Sequence, residues 1–385
     1  MRILFFLFIF SLYLGINGYV FYKGLVVIPS GALIKILYAV FFWLLSFSFI
    51  LRMFSGDKLP YNISIILSAV AFTWFVAVIY LALMALGFDI LKGIDHFFKI
   101  FPNSIKGNYE TVKRVTAVLS ILFVILLLVY GNYNFRNPIV TRLNLSLIKP
   151  IPNNEVKIVM ISDIHLSNQI NGKNLERYIK MINREDPHLV FIVGDIADMR
   201  LEPLKRCKVA EKLSGINAKY GVYAVNGNHE FYAGERSALI NYLKSGGVNM
   251  LIDSIAIVEG GILIAGRDDR TNHERKPLNE LLAGFERSLP LILLDHQPFN
   301  LEEAEMEGVD LQLSGHTHNG QFWPGNLIVK LIYELPYGYK KRGDTHYYVS
   351  SGIGLWGPKV RIGTKSEIVV IKLNSDKNNE INRDE

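Results

Sequence analysis

Residues 189–198 read LVFIVGDIAD, and this stretch decides the fold. Leu189–Val193 is an unbroken apolar run of strand length. Gly194 follows, and then two carboxylates, Asp195 and Asp198. The same order repeats outward in both directions. Upstream, the apolar run Val156–Ile161 leads into Asp163-Ile164-His165. Downstream, Gly221–Val225 leads into Gly227-Asn228-His229-Glu230 and Leu291–Leu294 into Asp295-His296-Gln297-Pro298. Asp310–Leu313 leads into Gly315-His316-Thr317-His318. Further runs of strand length are Ile262–Ala265, Tyr347–Ser350 and Ile368–Leu373. Between them lie amphipathic stretches of helical length, at Asn174–Arg184, Leu204–Leu213, Glu235–Lys244, Pro277–Arg287 and Pro298–Met306. Strands alternating with helices predict an α/β layered domain over residues 156–373. In such sheets ligands collect at the carboxyl ends of strands, so these segments can converge on one cleft.

The side chains at those strand ends suit a pair of divalent cations. Carboxylate, amide oxygen and imidazole are the donors that hard and borderline cations take. Residues i and i+2 of an extended segment point the same way, so Asp163 with His165, and His316 with His318, can each aim two donors at one point. A single carboxylate can bridge two ions, and Asp195 is the expected bridge. Glycines before Asp195, Asn228 and His316 allow sharp turns and close backbone approach. The one cysteine, Cys207, excludes a disulfide framework and a thiolate zinc site. Nitrogen and oxygen donors without thiolate admit Mn²⁺, Fe or Zn²⁺, and Mn²⁺ is the expected metal. Asp268 and Asp269 follow Gly266 at another strand end, where they either line the cleft or form a turn.

The first third of the chain has a different character. Four apolar windows, Ile3–Tyr22, Leu33–Phe54, Ile63–Phe88 and Val115–Tyr130, predict a bundle of about four transmembrane helices in residues 1–131. Residues 132–155, rich in Asn and Pro, read as a linker, and residues 374–385 as a disordered tail. The chain is 50% hydrophobic and 20% charged, with mean hydropathy +0.24, which excludes a disordered or fibrous protein. Its net charge of +6 is concentrated in the apolar third. Residues 1–155 carry 13 Lys/Arg against 5 Asp/Glu, whereas residues 156–373 carry 26 of each. A nucleic-acid partner calls for a basic excess on the folded domain, so none is expected. Transport calls for polar or ionisable groups within the spans, and apart from Lys35 the windows are read as lacking them. The densest basic loop, Lys92–Arg114, is expected on the cytoplasmic side. That makes the protein a multi-pass protein of the cell membrane with its catalytic domain outside the cytoplasm.

The ordered set D-x-H, G-D-x-x-D, G-N-H-E, single His and G-H-x-H resembles the calcineurin-like metallophosphoesterases. It is carried by Asp163/His165, Gly194–Asp198, Gly227–Glu230, His296 and Gly315–His318. The resemblance implies two facing mixed sheets flanked by helices, two divalent metal ions, and hydrolysis of a phosphoester or pyrophosphate. It implies Asp163, His165, Asp195 and His318 as ligands of one metal, and Asp195, Asn228, His296 and His316 as ligands of the other. It gives His229 the role of assisting the leaving group, with Asp198 and Glu230 supporting the ligands from behind. A narrower likeness, in SGHTHNGQFWPG and YVSSGIGLWGPKVRIGTKSEI, is to a bacterial, membrane-associated branch. That branch includes an enzyme that cleaves UDP-2,3-diacylglucosamine.

The expected partners are therefore the lipid bilayer and a phosphate-containing substrate, lipid-linked or part of the cell envelope. Two alternatives are a phosphodiesterase for soluble nucleotides or phosphoesters and a non-catalytic membrane sensor. A sensor should have lost a ligand, and here the motif set is complete. The stretch Leu331–Arg342, LIYELPYGYKKR, reads equally as a bilayer contact and as a solvated loop.

Overall fold

A computed structural model describes residues 2–29, 31–55, 59–198, 200–232, 234–258 and 261–375, with only the backbone for residues 2, 3, 5 and 6. The chain forms two compact units. One holds residues up to 132 together with 357–359, and the other holds the rest.

The first unit is built from long helices: α1 (Arg2–Val27), α2 (Ala32–Ser55), α3 (Tyr61–Phe98) and the greater part of α4 (Tyr109–Arg136). Among the described residues three helices, α2, α3 and α4, are long and apolar enough to cross a membrane. The fourth expected crossing falls on α1, whose first turns are only partly described. The apolar windows conceal more polarity than the sequence reading allowed. Asn17 is fully buried; its Oδ1 accepts from Ser46 Oγ (2.7 Å) and Trp74 Nε1 (3.0 Å), while its Nδ2 donates to Tyr13 O (2.9 Å). Arg52, inside the second window, donates from Nε to Ser68 Oγ at 2.6 Å. Just beyond the ends of two windows, Lys23 pairs with Asp89 at 2.5 Å. These groups find partners because an unpaired polar group among apolar helices costs several kcal/mol.

Among the described residues the second unit contains twelve strands: β1 (Ile139–Leu147), β2 (Glu155–Ile161), β3 (Leu189–Val193), β4 (Val222–Val225), β5 (Val248–Met250), β6 (Ser254–Val258), β7 (Ile262–Gly266), β8 (Leu291–Leu294), β9 (Leu311–Ser314), β10 (Gly338–Arg342), β11 (Thr345–Val349) and β12 (Glu367–Ser375). They form two six-stranded mixed sheets, in the orders β1-β12-β2-β3-β4-β5 and β10-β11-β9-β8-β7-β6. The strands β2 to β5 are parallel, as are β7, β8, β9 and β11. The five segments named from the sequence for metal binding thus all leave parallel strands at their carboxyl ends.

Side-chain alternation explains the layering. From β2 and β3, Ile158, Met160, Phe191 and Val193 point inward, to pack with Ile264, Ile292, Leu294 and Leu313 of the other sheet. Their neighbours Val159, Ile161, Val190 and Ile192 point outward, onto Leu175 and Ile182 of the helix Gly172–Arg184 and onto Leu239 and Leu243 of the helix Arg236–Ser245. Outside the second sheet, Leu263, Leu291 and Leu293 meet Leu278, Leu281 and Leu301. Both faces of each sheet are covered, so the central strands read as continuous apolar runs.

Several boundaries differ from expectation. The expected linker 132–155 holds the end of α4 and all of β1, which runs parallel to β12 with Ile139 opposite Glu367. The expected tail begins inside β12, and residues 376–385 lie outside the described residues. The helix expected at Leu204–Leu213 is two, Leu201–Arg206 and Val209–Leu213, broken at Lys208 with φ of 52°. Only Leu278–Leu281 of Pro277–Arg287 is helical. A helix not expected at all spans Gly325–Ile332, and Lys340–Arg342 lie in β10 rather than in a loop.

Candidate metal centre

Three backbone segments from the first sheet and two from the second meet at one edge of the second unit. Asp163, His165, Asp195, His316 and His318 all have positive φ, between 50° and 70°. Each strand therefore breaks abruptly, and its next side chains turn back over the sheet edge. Such backbone is costly for residues other than glycine and is held here by surrounding contacts. Glycines make room for it: a Cβ at Gly227 would run into the Asp195 carboxylate, one at Gly315 into Asp163, and one at Gly194 into the His296 ring.

The side chains named from the sequence come together in overlapping groups. Asp163, His165 and His318 form one, Asp195, His296 and His316 another, and His165, Asp195 and His229 a third between them. His318 Nε2 lies 3.5 Å from Asp163 Oδ1, and His165 Nε2 lies 3.7 Å from Asp195 Oδ2. His296 Nε2 approaches Asp195 Oδ2 to 3.2 Å. Asp195 thus belongs to two of the three groups. Asn228 stands at the same rim, with its Nδ2 donating to Tyr232 Oη at 2.7 Å.

The supporting contacts fix each donor. Asp163 accepts the His316 amide (3.0 Å), and Asp195 Oδ1 accepts the His229 amide (2.9 Å). His296 Nδ1 is bound to Val193 O at 2.8 Å, so Nε2 is the nitrogen turned to the cluster. Glu230 is not a donor to the cluster. Its buried carboxylate accepts the amides of Asp195 (3.1 Å), Ala197 (3.0 Å) and Gly227 (2.6 Å), stapling the turn after β3 to the turn after β4. Asp198 lies behind His165 and His229, with Oδ1 3.6 Å and 3.1 Å from their Nδ1 atoms.

The electrostatics follow from burial and close charge. Burial works against a charged Asp198, but the two imidazoles outweigh it and bring the pKa down to about 2. Burial also opposes protonation of His229, yet its hydrogen bond to Asp198 and the Asp195 charge push its pKa up to about 9. Burial and the neighbouring His296 push His316 down to about 4, which keeps it a neutral donor.

Two observations test whether these residues fit cations. Asn228 Oδ1 is buried without a hydrogen-bond partner among the described residues, an arrangement that costs stability unless something else takes up the lone pair. His165 and His318 turn their Nε2 atoms toward each other at 3.1 Å, so the two lone pairs share either a proton or a cation. With two carboxylates alongside, the donor set matches that of a nitrogen- and oxygen-ligated divalent ion. The residues fit.

Sequence reasoning missed Arg361. Its fully buried guanidinium donates to the carbonyls of His318 (3.0 Å), Gly352 (3.1 Å) and Gly354 (2.6 Å). It ties the His316–His318 turn to the loop behind Asp163, whose own carbonyl accepts the Gly354 amide. The signal was a lone arginine in the apolar, glycine-rich run GLWGPKVRIG. Asp268 and Asp269 are fully buried and serve the wall of the site. Asp268 accepts from Asn226 (2.7 Å) and pairs with Arg236, while Asp269 caps its own turn through Thr271 and holds Gln297.

Comparison with known proteins agrees with this geometry. Residues 156–320 match the family model for calcineurin-like phosphoesterases. An uncharacterized metallophosphoesterase of Campylobacter jejuni is 34% identical over 277 residues, 70% of this chain and 73% of that protein. One from Helicobacter pylori is 30% identical over 87% of this chain and 89% of its own length. A zebrafish protein described as a transmembrane protein with metallophosphoesterase domain is 33% identical over 66% of this chain and 62% of its own.

Proposed function

Since the chain belongs to the calcineurin-like phosphoesterases and is a metal-dependent phosphoesterase, we propose that it is a membrane-anchored dimetal hydrolase acting on a lipid-linked or envelope phosphoester or pyrophosphate. The observation that carries the reading is the unpartnered, buried Asn228 Oδ1 beside Asp195, in a cluster otherwise complete in its donors. In this proposal Asp163, His165, Asp195 and His318 hold one cation, and Asp195, Asn228, His296 and His316 the other. The cations, Mn²⁺ in this reading, supply Lewis-acid charge for the phosphoryl oxygens and acidify water when bound.

The chain's own residues do the rest. Asp195, fixed by the His229 amide, keeps both halves of the cluster together. Glu230 holds the turns carrying Asp195 and Asn228 in register. His229 has its Nδ1 tied to Asp198 O at 2.9 Å, which leaves Nε2 to give a proton to the departing oxygen. Tyr232 and Trp356 stand beside the His229 ring, at 4.9 and 6.2 Å between centroids, and both are exposed.

Localisation enters the proposal as well. The basic segment Lys92–Arg114 joins the end of α3 to the start of α4, so one crossing separates it from the catalytic unit. With that segment on the cytoplasmic side, the metal centre works outside the cytoplasm, independently of α1.

The test is metal-loaded protein assayed on a small chromogenic phosphodiester, UDP-diacylglucosamine, isoprenyl pyrophosphates and phospholipids. His229→Ala should lower the rate on the preferred substrate by about 10²–10⁴ while the metals stay bound. A His229→Ala protein as active as its parent would remove this residue from the mechanism. Preference for a soluble ester over every lipid would remove the lipid-linked substrate.

A further inference from the structure

The helix Gly325–Ile332 has the sequence GNLIVKLI, and all eight of its residues are half-buried or exposed. Leu327, Ile328, Leu331 and Ile332 are 49, 58, 88 and 56% exposed. At helical spacing these four fall on one side, with Asn326 and Lys330 away from them. A two-turn helix gains little from its own hydrogen bonds in water. Its ends are nevertheless fixed: the Gly325 amide binds Phe322 O (2.7 Å), and Tyr333 packs on Phe299 with ring centroids 4.7 Å apart. The apolar side is therefore held out from the domain rather than folded onto it. Two of the nearby cations are engaged elsewhere: Lys340 pairs with Glu334 (2.7 Å) and Arg342 with Glu305 (2.6 Å). The stretch Leu331–Arg342, whose sequence suggested a bilayer contact, shares only Leu331 and Ile332 with this helix, and the exposed apolar helix rather than the basic strand is suited to that contact.

Strand registers locate this helix. Asp163 and His165 follow the carboxyl end of β2, and β12 runs antiparallel to β2 with Val369 opposite Met160. The start of β12 thus lies at the metal edge, and so does Ile139, opposite Glu367 at the start of β1. Only Asn137 and Pro138 separate Ile139 from α4, a helix long and apolar enough to cross a membrane. On the other sheet, Gly338 at the start of β10 pairs with Val349 at the end of β11, which runs parallel to β9. The helix lies between the His316–His318 turn and Gly338, and Tyr333 at its end stands 6.1 Å from the His316 ring. Metal ligands, apolar helix and the point where the chain arrives from α4 all belong to one edge of the catalytic unit.

We propose that the apolar side of Gly325–Ile332 docks in the interfacial layer of the lipid bilayer and presents the metal centre to the phosphate of an amphiphile resident in that bilayer. The chain's own apolar spans make a bilayer the apolar phase always within reach. Leu and Ile toward the acyl region, with the cationic Lys330 on the opposite side and the partly exposed Trp323 two residues before the helix, is the composition of an interfacial helix. The substrate half of this proposal rests on the hydrolase reading above, whereas the docking half stands without it.

The experiment uses the full chain in a Cys207→Ser background, reconstituted into phosphatidylcholine vesicles. A polarity-sensitive fluorophore is attached at Leu331→Cys or, for comparison, at Ile257→Cys, an exposed apolar position on β6. Docking predicts a blue-shifted label at 331 that is quenched by lipids spin-labelled near the head of the acyl chain, and a label at 257 that is not. Equal, water-like spectra at both positions overturn the proposal. So does efficient crosslinking of 331 between two copies without lipid quenching, which would make the face a contact between chains. In the parent background, Leu327→Glu/Leu331→Glu should leave turnover of a small soluble phosphodiester unchanged. It should lower kcat/KM on the lipid substrate in vesicles by about tenfold or more. An unchanged rate on that lipid overturns the delivery role. A parent inactive on every ester would refute the hydrolase reading while leaving the fluorescence result to decide docking.

Discussion

Two asparagines, one in each unit, are both buried, and they differ in one atom's circumstances. Asn17 of the helical unit has its Oδ1 filled by Ser46 and Trp74. Asn228 of the catalytic unit has its Nδ2 bonded to Tyr232 and its Oδ1 bonded to nothing among the described residues. The first arrangement is what folding alone favours, because each buried lone pair finds a donor. The second carries a cost in stability that a bound cation would offset. The contrast separates polar burial that holds a structure together from polar burial that awaits a ligand.

The largest test of that contrast is Asp195→Ala. It removes the carboxylate common to both halves of the cluster and should abolish hydrolysis and bound metal together, measured by turnover and by metal analysis of the purified protein. A variant that keeps two metals per chain would show that Asp195 is not shared. Asn228→Leu is more discriminating. It should weaken metal binding by about 10–100-fold, by analogy with the loss of other groups that set a metal site. In the metal-free protein it should leave the unfolding midpoint unchanged or raise it, since an unsatisfied acceptor is exchanged for an apolar group. A drop in metal-free stability greater than that of Tyr232→Phe, which removes the same Nδ2 hydrogen bond, would mean that Asn228 Oδ1 has a structural partner after all.

Arg361→Lys extends the contrast to a group that touches no substrate. Lysine keeps the charge but offers a compact point in place of a planar fork, so the three carbonyls of His318, Gly352 and Gly354 cannot all be held. The His318 turn should loosen, with metal affinity falling by about tenfold in titration calorimetry and activity recovering at high metal concentration. Activity lost in equal measure at every metal concentration would assign Arg361 to the fold alone.

What the sequence disclosed follows the same physical division. β2, β3, β4, β8 and β9 are covered on both faces, so their composition alone marks them, and each group expected to bind metal follows one of them. Edge strands carry no such mark. β1 exposes alternate residues, and β10 carries Lys340, Lys341 and Arg342, so both look like loop until their partners are known. Arg361 is 43 residues beyond His318, and only the folding back of the 350–361 segment gives it a role. The helix Gly325–Ile332 was hidden for another reason. A short apolar run after a proline has no helical cap to announce it, and its exposure is visible only when the domain around it is built. Asn17 was overlooked because a single amide hardly alters the hydropathy of a long apolar window.

That amide supplies the smallest effect, and it bears on the other side of the comparison. Asn17→Leu exchanges a satisfied polar group for an apolar one and leaves Ser46 and Trp74 to find other acceptors. Hydrogen bonds between membrane helices are worth about 0.6 kcal/mol on average and at most about 1.7. The helical unit should therefore lose stability by an amount in that range, read as a lower unfolding midpoint in detergent, while metal content and turnover of a soluble phosphodiester stay at the parent's values. If Asn17→Leu instead lowered metal content, satisfied and unsatisfied polar groups would not be separable by function in this protein, and the inference drawn from Asn228 would lose its control.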